Sequence, residues 1–370
     1  MSGAKVVVRL DLNVPLNGRT ISDDVRVRVA LPTLRTLQSH QNKILVVAHL
    51  GRPDRLSSNR NLSLRPVSDC LSRLLEKEVP LVAAIAGWES KTPGSEMVLL
   101  ENIRFDPRET SRSAAERCEL AAELRANADI VVSDAFSTFH RHHATIVELV
   151  ELGLSVPGML VETELQGLAP LLSSNVPLLV IFGGTRAEEK LRVLDELTET
   201  SVTVLLGAPM AAQISLLAAR AGLQGTTARR ILEKKNLVVP PDITVQDEAG
   251  RLHVTRLSDV LPATRVVDLG PKACIEFGER VRTAQAVIWN GPPGFQHERY
   301  ARRGAEALAT ACAESLAVTI VGGGTTGMPL RWLGLTNRVT HISTGGTVLF
   351  HLLLGRSVPG LDAVLNSSGA

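Results

Sequence analysis

Cysteine is scarce in this chain. Cys70, Cys118, Cys274 and Cys312 lie far apart, with no Cys-x-x-Cys pair. That argues against a disulfide framework or a zinc ribbon and fits a reducing cytoplasm. Aromatic residues reach only 3%, too few for the stacking platforms that grip single-stranded nucleic acid. No apolar run approaches the roughly 18 residues of a membrane helix. Near the amino terminus, Lys5 and Arg9 surround Val6, Val7 and Val8, a stretch too short for a secretory signal core. An excess of one charge is also missing. The chain has 40 Lys+Arg against 38 Asp+Glu, a net charge of +2, so neither a nucleic acid nor an anionic membrane is the expected partner.

What is present is an ordinary globular composition, 44% hydrophobic and 21% charged over 370 residues, which predicts two domains with a core each. Short apolar runs recur at 6–9, 44–48, 98–100, 130–132, 178–182, 202–206, 237–239, 286–289, 318–321 and 340–342. Helix-compatible segments separate them. Continuous apolar runs of this length suit strands buried on both faces, and strand alternating with helix implies parallel sheets. The expected fold is therefore α/β, with two doubly wound sheets. The link falls near 157–172, where Glu162, Glu164 and Leu165 sit in a helix-like stretch. No repeat of fixed period occurs, and 57–61 and 110–113 read as polar loops.

Most runs end in a polar or glycine-rich cluster, the place where open parallel sheets bind ligands. In the first half the clusters are rich in arginine. Arg26, Arg52, Arg104 and Arg141 lie on separate segments, with His49 and His140 beside two of them. Guanidinium forks converging from several loops grip a phosphate or carboxylate bidentately. Asp11 and Asn13 suit a substrate hydroxyl as well as they suit a turn after the first strand. The run His140-Arg141-His142-His143 suggests metal ligands, but neighbouring histidines rarely face one ion, and anion binding is the better reading.

In the second half the clusters are rich in glycine, which predicts a phosphate site. Thr185-Arg186-Ala187-Glu188 fits a capping box that would start a helix at Thr185, with Arg186 and Lys190 adding charge beside its free N–H groups. Gly322-Gly323-Gly324-Thr325-Thr326-Gly327 matches Gly-x-Gly-x-x-Gly, the mark of a dinucleotide site. That site needs an acidic residue about 20 positions on, and none occurs between Glu314 and Asp362. A P-loop is also absent.

Taken together, several motifs resemble phosphoglycerate kinase. They are Arg9-Leu10-Asp11-Leu12-Asn13-Val14-Pro15, Ser22-Asp23-Asp24 through Arg26, His49-Leu50-Gly51-Arg52-Pro53, and Leu100-Glu101-Asn102-Ile103-Arg104-Phe105. Asp134-Ala135-Phe136 with His140-Arg141, Asp268-Leu269-Gly270-Pro271-Lys272, Trp289-Asn290-Gly291-Pro292 and His341-Ile342-Ser343-Thr344-Gly345-Gly346 continue the series in family order.

The resemblance implies two Rossmann-like domains across a hinged cleft. Residues 1–156 would bind phosphoglycerate, 157–172 would form the hinge helix, 173–345 would bind the nucleotide, and 346–370 would return to the first domain. It implies a cytoplasmic, monomeric kinase that transfers phosphoryl between 1,3-bisphosphoglycerate and ADP, with Mg2+ accompanying ADP or ATP. Asp11 and Asn13 would take the substrate's hydroxyl and carboxyl end. Arg52, Arg104 and Arg141 would take its phosphate, with His49 in the same patch, and Arg26 would reach the moving phosphoryl group with Lys190 and Arg186 opposite.

Gly183, Gly184, Gly207, Asn290, Pro292, His297, Gly323, Gly324, Thr325 and Thr326 would line the nucleotide site. Here the chain departs from the family. Arg186 replaces a lysine, Thr325 replaces the aspartate that holds magnesium, Gly207-Ala208-Pro209 replaces a glycine run, and His297 stands where a glutamate is expected, with Glu298 next to it. Asp242 and Glu189 are the carboxylates that could serve Thr325. The alternatives are a phosphoglycerate-binding protein without kinase activity, or a kinase with another phosphoryl donor or acid.

Overall fold

The computed structural model describes residues 2–53, 59–88, 94–173 and 175–367. It divides into two compact units: Met1–Leu165 with Gly355–Ala370, and Gln166–Leu354. The chain returns to the first unit at Gly355, later than the sequence-based boundary at 346, because the helix Gly346–Leu353 stays with the second unit.

In the first unit, β1 (Lys5–Leu10), β4 (Lys43–Val47), β5 (Leu81–Val82), β6 (Met97–Leu100), β7 (Ile130–Asp134) and β8 (Ser155–Pro157) form a sheet in the order β5-β6-β4-β1-β7-β8. Every pairing in it is parallel. A minimal hairpin, β2 (Leu16–Asn17) and β3 (Thr20–Ile21), follows β1. The sheet is covered on both faces, which explains its unbroken apolar strands. Val6, Val8 and Leu10 face a core shared with Val27, Leu34, Val67 and Leu71. The alternate residue Val7 faces another core with Leu120 and Leu124.

The second unit repeats the design. Here β9 (Leu178–Phe182), β10 (Thr203–Leu206), β11 (Leu237–Val238), β15 (Ala286–Asn290), β16 (Val318–Gly322) and β17 (His341–Ser343) run parallel in the order β11-β10-β9-β15-β16-β17. Each run singled out in the sequence is a strand. The sequence did not show β5, β8 or an antiparallel sheet of β12 (Asp242–Gln246), β13 (Leu252–Arg256) and β14 (Arg265–Leu269), ordered β13-β12-β14. The largely exposed β13 carries no buried apolar run to betray it.

The expected linking helix is Met159–Leu172. Of the polar loop at 57–61, the first two residues lie outside the described residues, and Asn59–Leu62 is a short 3-10 helix. In the other loop, Thr110 ends the 3-10 helix Pro107–Thr110, and Ser113 caps the helix Ala114–Arg125.

Candidate functional site

Both sheets reverse their strand order beside the first strand of the unit, between β1 and β7 and between β9 and β15. The carboxyl ends of those strands are where parallel sheets leave a crevice. Sequence-predicted residues gather at each.

In the first unit, Asp11 follows β1 and Ser137 follows β7. The Ser137 hydroxyl donates to the Asp11 carboxylate, and Arg26 forms an ion pair with the same carboxylate. Asp11 also accepts from Asn13 N–H at 3.0 Å, and Asn13 Oδ1 accepts from Gly51 N–H at 2.8 Å. Both residues thus shape the loops as well as facing the crevice. Gly51 lies in the loop that carries His49 and Arg52. Asn102 anchors that loop: its amide donates to Leu50 O at 2.8 Å and Leu62 O at 2.9 Å, and its oxygen accepts from Leu50 N–H at 3.2 Å.

Arg104 donates to Gly51 O, yet its Nε and Nη2 are buried without a hydrogen-bond partner. Burial, then Arg141, Arg9 and Arg52 among its neighbours, pulls its pKa down to about 10. The His49 ring is held well below its ordinary value by burial and by Arg9, Arg104, Arg26 and Arg141. The predicted arginines therefore do converge, around a neutral histidine. Such a concentration of cationic donors is a site for a multiply charged anion.

The neighbouring histidines His140 and His143 have different partners. His140 Nε2 accepts from Arg141 Nε at 3.2 Å, while His143 Nδ1 stands 3.6 Å from Glu109. Burial and the nearby arginines push His143 down to about 3. Sequence reasoning missed Ser137, Asn102, Glu109 and Thr145. Asn102 was visible only as part of a motif.

In the second unit, Gly183 N–H donates to Asn290 O at 2.9 Å, and Gly184 N–H donates to Pro292 O at 2.8 Å. A Cβ on Gly183 would lie 2.3 Å from Pro292 O, so glycine is required by close approach of two backbones. Gly207 N–H donates to Phe182 O, and Ala208 N–H donates to Pro293 O. The Thr326 hydroxyl accepts from Gly291 N–H at 3.0 Å, Asn290 Nδ2 donates to Gly346 O at 2.6 Å, and Gly323 turns at φ +97°. Lys190 places Nζ 2.9 Å from Gly183 O and 5.5 Å from the Phe182 ring centroid. Its pKa is lowered by burial and by Arg186 nearby.

These contacts bring Gly183, Gly184, Lys190, Gly207, Asn290, Pro292, Gly323 and Thr326 together. Arg186 is exposed and 3.5 Å from Glu189. Gly324 and Thr325 are exposed, with Thr325 O accepting from Gln296 Nε2. His297 is exposed, and Glu298 beside it pairs with Arg265 at 2.7 Å.

The capping box does not form. The helix starts at Ala187, Thr185 caps nothing, and Gln213 Oε1 accepts from Ala187 N–H at 3.0 Å. A remote amide, instead of the local hydroxyl, satisfies an N–H group in the first turn of this helix.

The carboxylates considered for Thr325 are committed elsewhere. Asp242 accepts from Lys272 N–H at 3.1 Å and Ala273 N–H at 2.8 Å, and Glu189 faces Arg186. Among the described residues no group of three or more His, Cys, Asp or Glu is placed to hold a metal. The protein residues here do not fit a magnesium ion held by their own carboxylates.

The family model for phosphoglycerate kinase matches residues 1–356. A phosphoglycerate kinase of Herpetosiphon aurantiacus is 35% identical over 386 residues, covering 98% of this chain and 96% of its own. One from Chloroflexus aurantiacus is 36% identical over 394 residues, with the same coverage. Among solved structures, phosphoglycerate kinase from Pyrococcus horikoshii superposes with a TM-score of 0.86 at 26% identity, covering 100% of this chain and 97% of that one. The Coxiella burnetii phosphoglycerate kinase gives a TM-score of 0.72 at 29% identity, covering 99% and 97%. With two arginine- and glycine-lined crevices on two parallel sheets and relatives matched along nearly their full length, the chain belongs to the phosphoglycerate kinase family.

Proposed function

We propose that the protein transfers a phosphoryl group between 1,3-bisphosphoglycerate and ADP, giving 3-phosphoglycerate and ATP. The first unit holds the phosphoglycerate and the second the nucleotide. The observation that carries this reading is Arg104, whose buried Nε and Nη2 lack an acceptor among surrounding arginines. Buried donors are nearly always paired, and a phosphate oxygen is the partner this set would take.

Transfer from an acyl phosphate to an anionic ADP oxygen needs no base. It needs in-line placement and cations around the moving group. Arg52, Arg104 and Arg141 hold the distal phosphate. Arg26, steadied by Asp11 and Ser137, turns towards the acyl phosphate. Asn13 keeps the Gly51 loop in place. On the other unit, the glycine loops at Gly183, Gly184 and Gly323, free of side chains and pinned by their own backbone bonds, leave room for the nucleotide phosphates, Lys190 supplies a fixed charge, and Arg186 a mobile one. Magnesium is assigned to the nucleotide as part of the substrate, with Thr325 offering at most a hydroxyl. Four free thiols support a reducing, cytoplasmic setting.

Calorimetric titration with 3-phosphoglycerate and with magnesium-ADP, beside a coupled assay of ATP-dependent 3-phosphoglycerate phosphorylation, tests the reading. Binding of both ligands with turnover sustains it. Binding of 3-phosphoglycerate alone, without turnover, overturns the kinase assignment and leaves a phosphoglycerate-binding protein.

A further inference from the structure

We propose that Glu109 is a positioning residue which, through Thr145 and Arg9, fixes His49 as a neutral ring with its proton on Nε2, offered to the anion in the arginine cluster. The proposal rests on the reading of that cluster as the phosphoglycerate site. Glu109 and Thr145 touch no substrate in this scheme and act through Arg9.

Counting donors settles the direction of every bond. Arginine has donors only. Arg9 Nη2 lies 3.3 Å from His49 Nδ1, so Nδ1 accepts and the ring proton sits on Nε2. Arg9 Nε donates to Thr145 Oγ1 at 2.7 Å. The hydroxyl's own proton then goes to Glu109 Oε1 at 2.8 Å, and Thr145 N–H donates to Oε2 at 3.0 Å. Both carboxyl oxygens therefore accept. Arg9 and Glu109 stand 3.8 Å apart, beyond a direct hydrogen bond, so the hydroxyl is the link. Arg9, Glu109 and Thr145 are wholly buried and His49 nearly so, which keeps water from substituting for a member. Arg9, His143 and Arg104 are the charged or titratable groups facing Glu109.

The arrangement has a physical purpose. A protonated His49 would add repulsion to Arg9, Arg26, Arg104 and Arg141. A neutral ring with the opposite tautomer would aim a lone pair at an anion. Only the Nε2–H form adds a donor without adding charge.

Nitrogen NMR of the imidazole rings in the unliganded protein, with His49 assigned from a His49→Gln spectrum, reads the tautomer directly. The expected result is a single neutral Nε2–H ring, which becomes a tautomer mixture in Thr145→Val and Glu109→Gln. KM for 3-phosphoglycerate should rise about tenfold in both, the loss of one hydrogen bond to a charged group. KM for ADP should stay within about twofold, and Thr145→Ser should restore both readouts. A wild-type His49 that is charged or protonated on Nδ1 overturns the proposal even if the variants fail to fold. So does a folded Thr145→Val protein with unchanged tautomer and KM. Should the wild-type protein not bind 3-phosphoglycerate, the site reading fails, while the ring spectrum still decides the relay.

Discussion

Arg104 leaves two guanidinium nitrogens buried without acceptors, a state that costs about 1–3 kcal/mol until an anion arrives. Arg104→Ala should therefore weaken 3-phosphoglycerate binding by roughly 10- to 100-fold while leaving the ADP affinity alone, as calorimetry would show. At the same scale, Asp268 is buried among N–H donors from Leu269 and Gly304, and burial pushes its carboxyl from 3.8 up to about 7. The folded protein thus holds a proton that the unfolded chain releases on passing the lower value. The associated stability is complete below about pH 4 and is lost as pH rises through about 7. Asp268→Asn should flatten this slope, a difference of up to ~4 kcal/mol at about 1.4 kcal/mol per pKa unit, read by urea unfolding at several pH values. Arg52, Arg104 and Arg141 were legible in the sequence because they fall in polar clusters beyond apolar runs, and Arg26, in the helix Val25–Ser39, as part of a motif. Ser137, Glu109 and Thr145 were not, since their importance lies in which side chain they meet across 126 or 36 positions of chain.

Several helices in this protein are capped from a distance. Those beginning after Arg186, Gly270 and Arg302 have no side-chain cap of their own. Gln213, Asp242 and Asp268 reach in from other elements to accept their first N–H groups. Asp134 does the same for the helix Met159–Leu172, accepting from Val161 N–H at 3.0 Å. Local sequence rules look for a cap beside the helix, so the box at Thr185 misled, whereas the strands were legible because two-sided burial writes itself into consecutive residues. Asp242→Ala should destabilise the protein by about 1–2 kcal/mol, the loss typical of an N-cap, measured by chemical denaturation. The loops between strands are held just as tightly. Gly183→Ala forces a Cβ against Pro292 O, 2.3 Å away, and β9 and β15 must separate at their ends. ADP affinity should fall more than about tenfold with 3-phosphoglycerate binding retained, and calorimetry with each ligand separates the two effects.

Across the whole molecule, the second unit interrupts the first, whose core is completed by a helix from beyond the interruption. The helix Pro359–Ser367 buries Leu361 and Val364 on that unit, with Val358 just before it. Gly360 N–H donates to Phe139 O at 2.8 Å, with the ring so close that a Cβ would meet it at 2.8 Å. Removing 355–370, with Val358, Leu361 and Val364, should cost the first unit roughly 5–9 kcal/mol at about 1.5–3 kcal/mol per large apolar side chain. Limited proteolysis should then cut within 2–165 while 166–354 stays protected. Sequence pattern located the sheets but not the point of return, because a short amphipathic helix carries no sign of which unit it will cover. The same connectivity sets a timetable for synthesis. A ribosome makes the first unit's sheet early, yet that unit must wait, with Phe139 and Ile146 uncovered, until the last stretch emerges. The second unit is contiguous and can close as soon as residue 354 is free. The part of the protein that is made first is the part that is finished last.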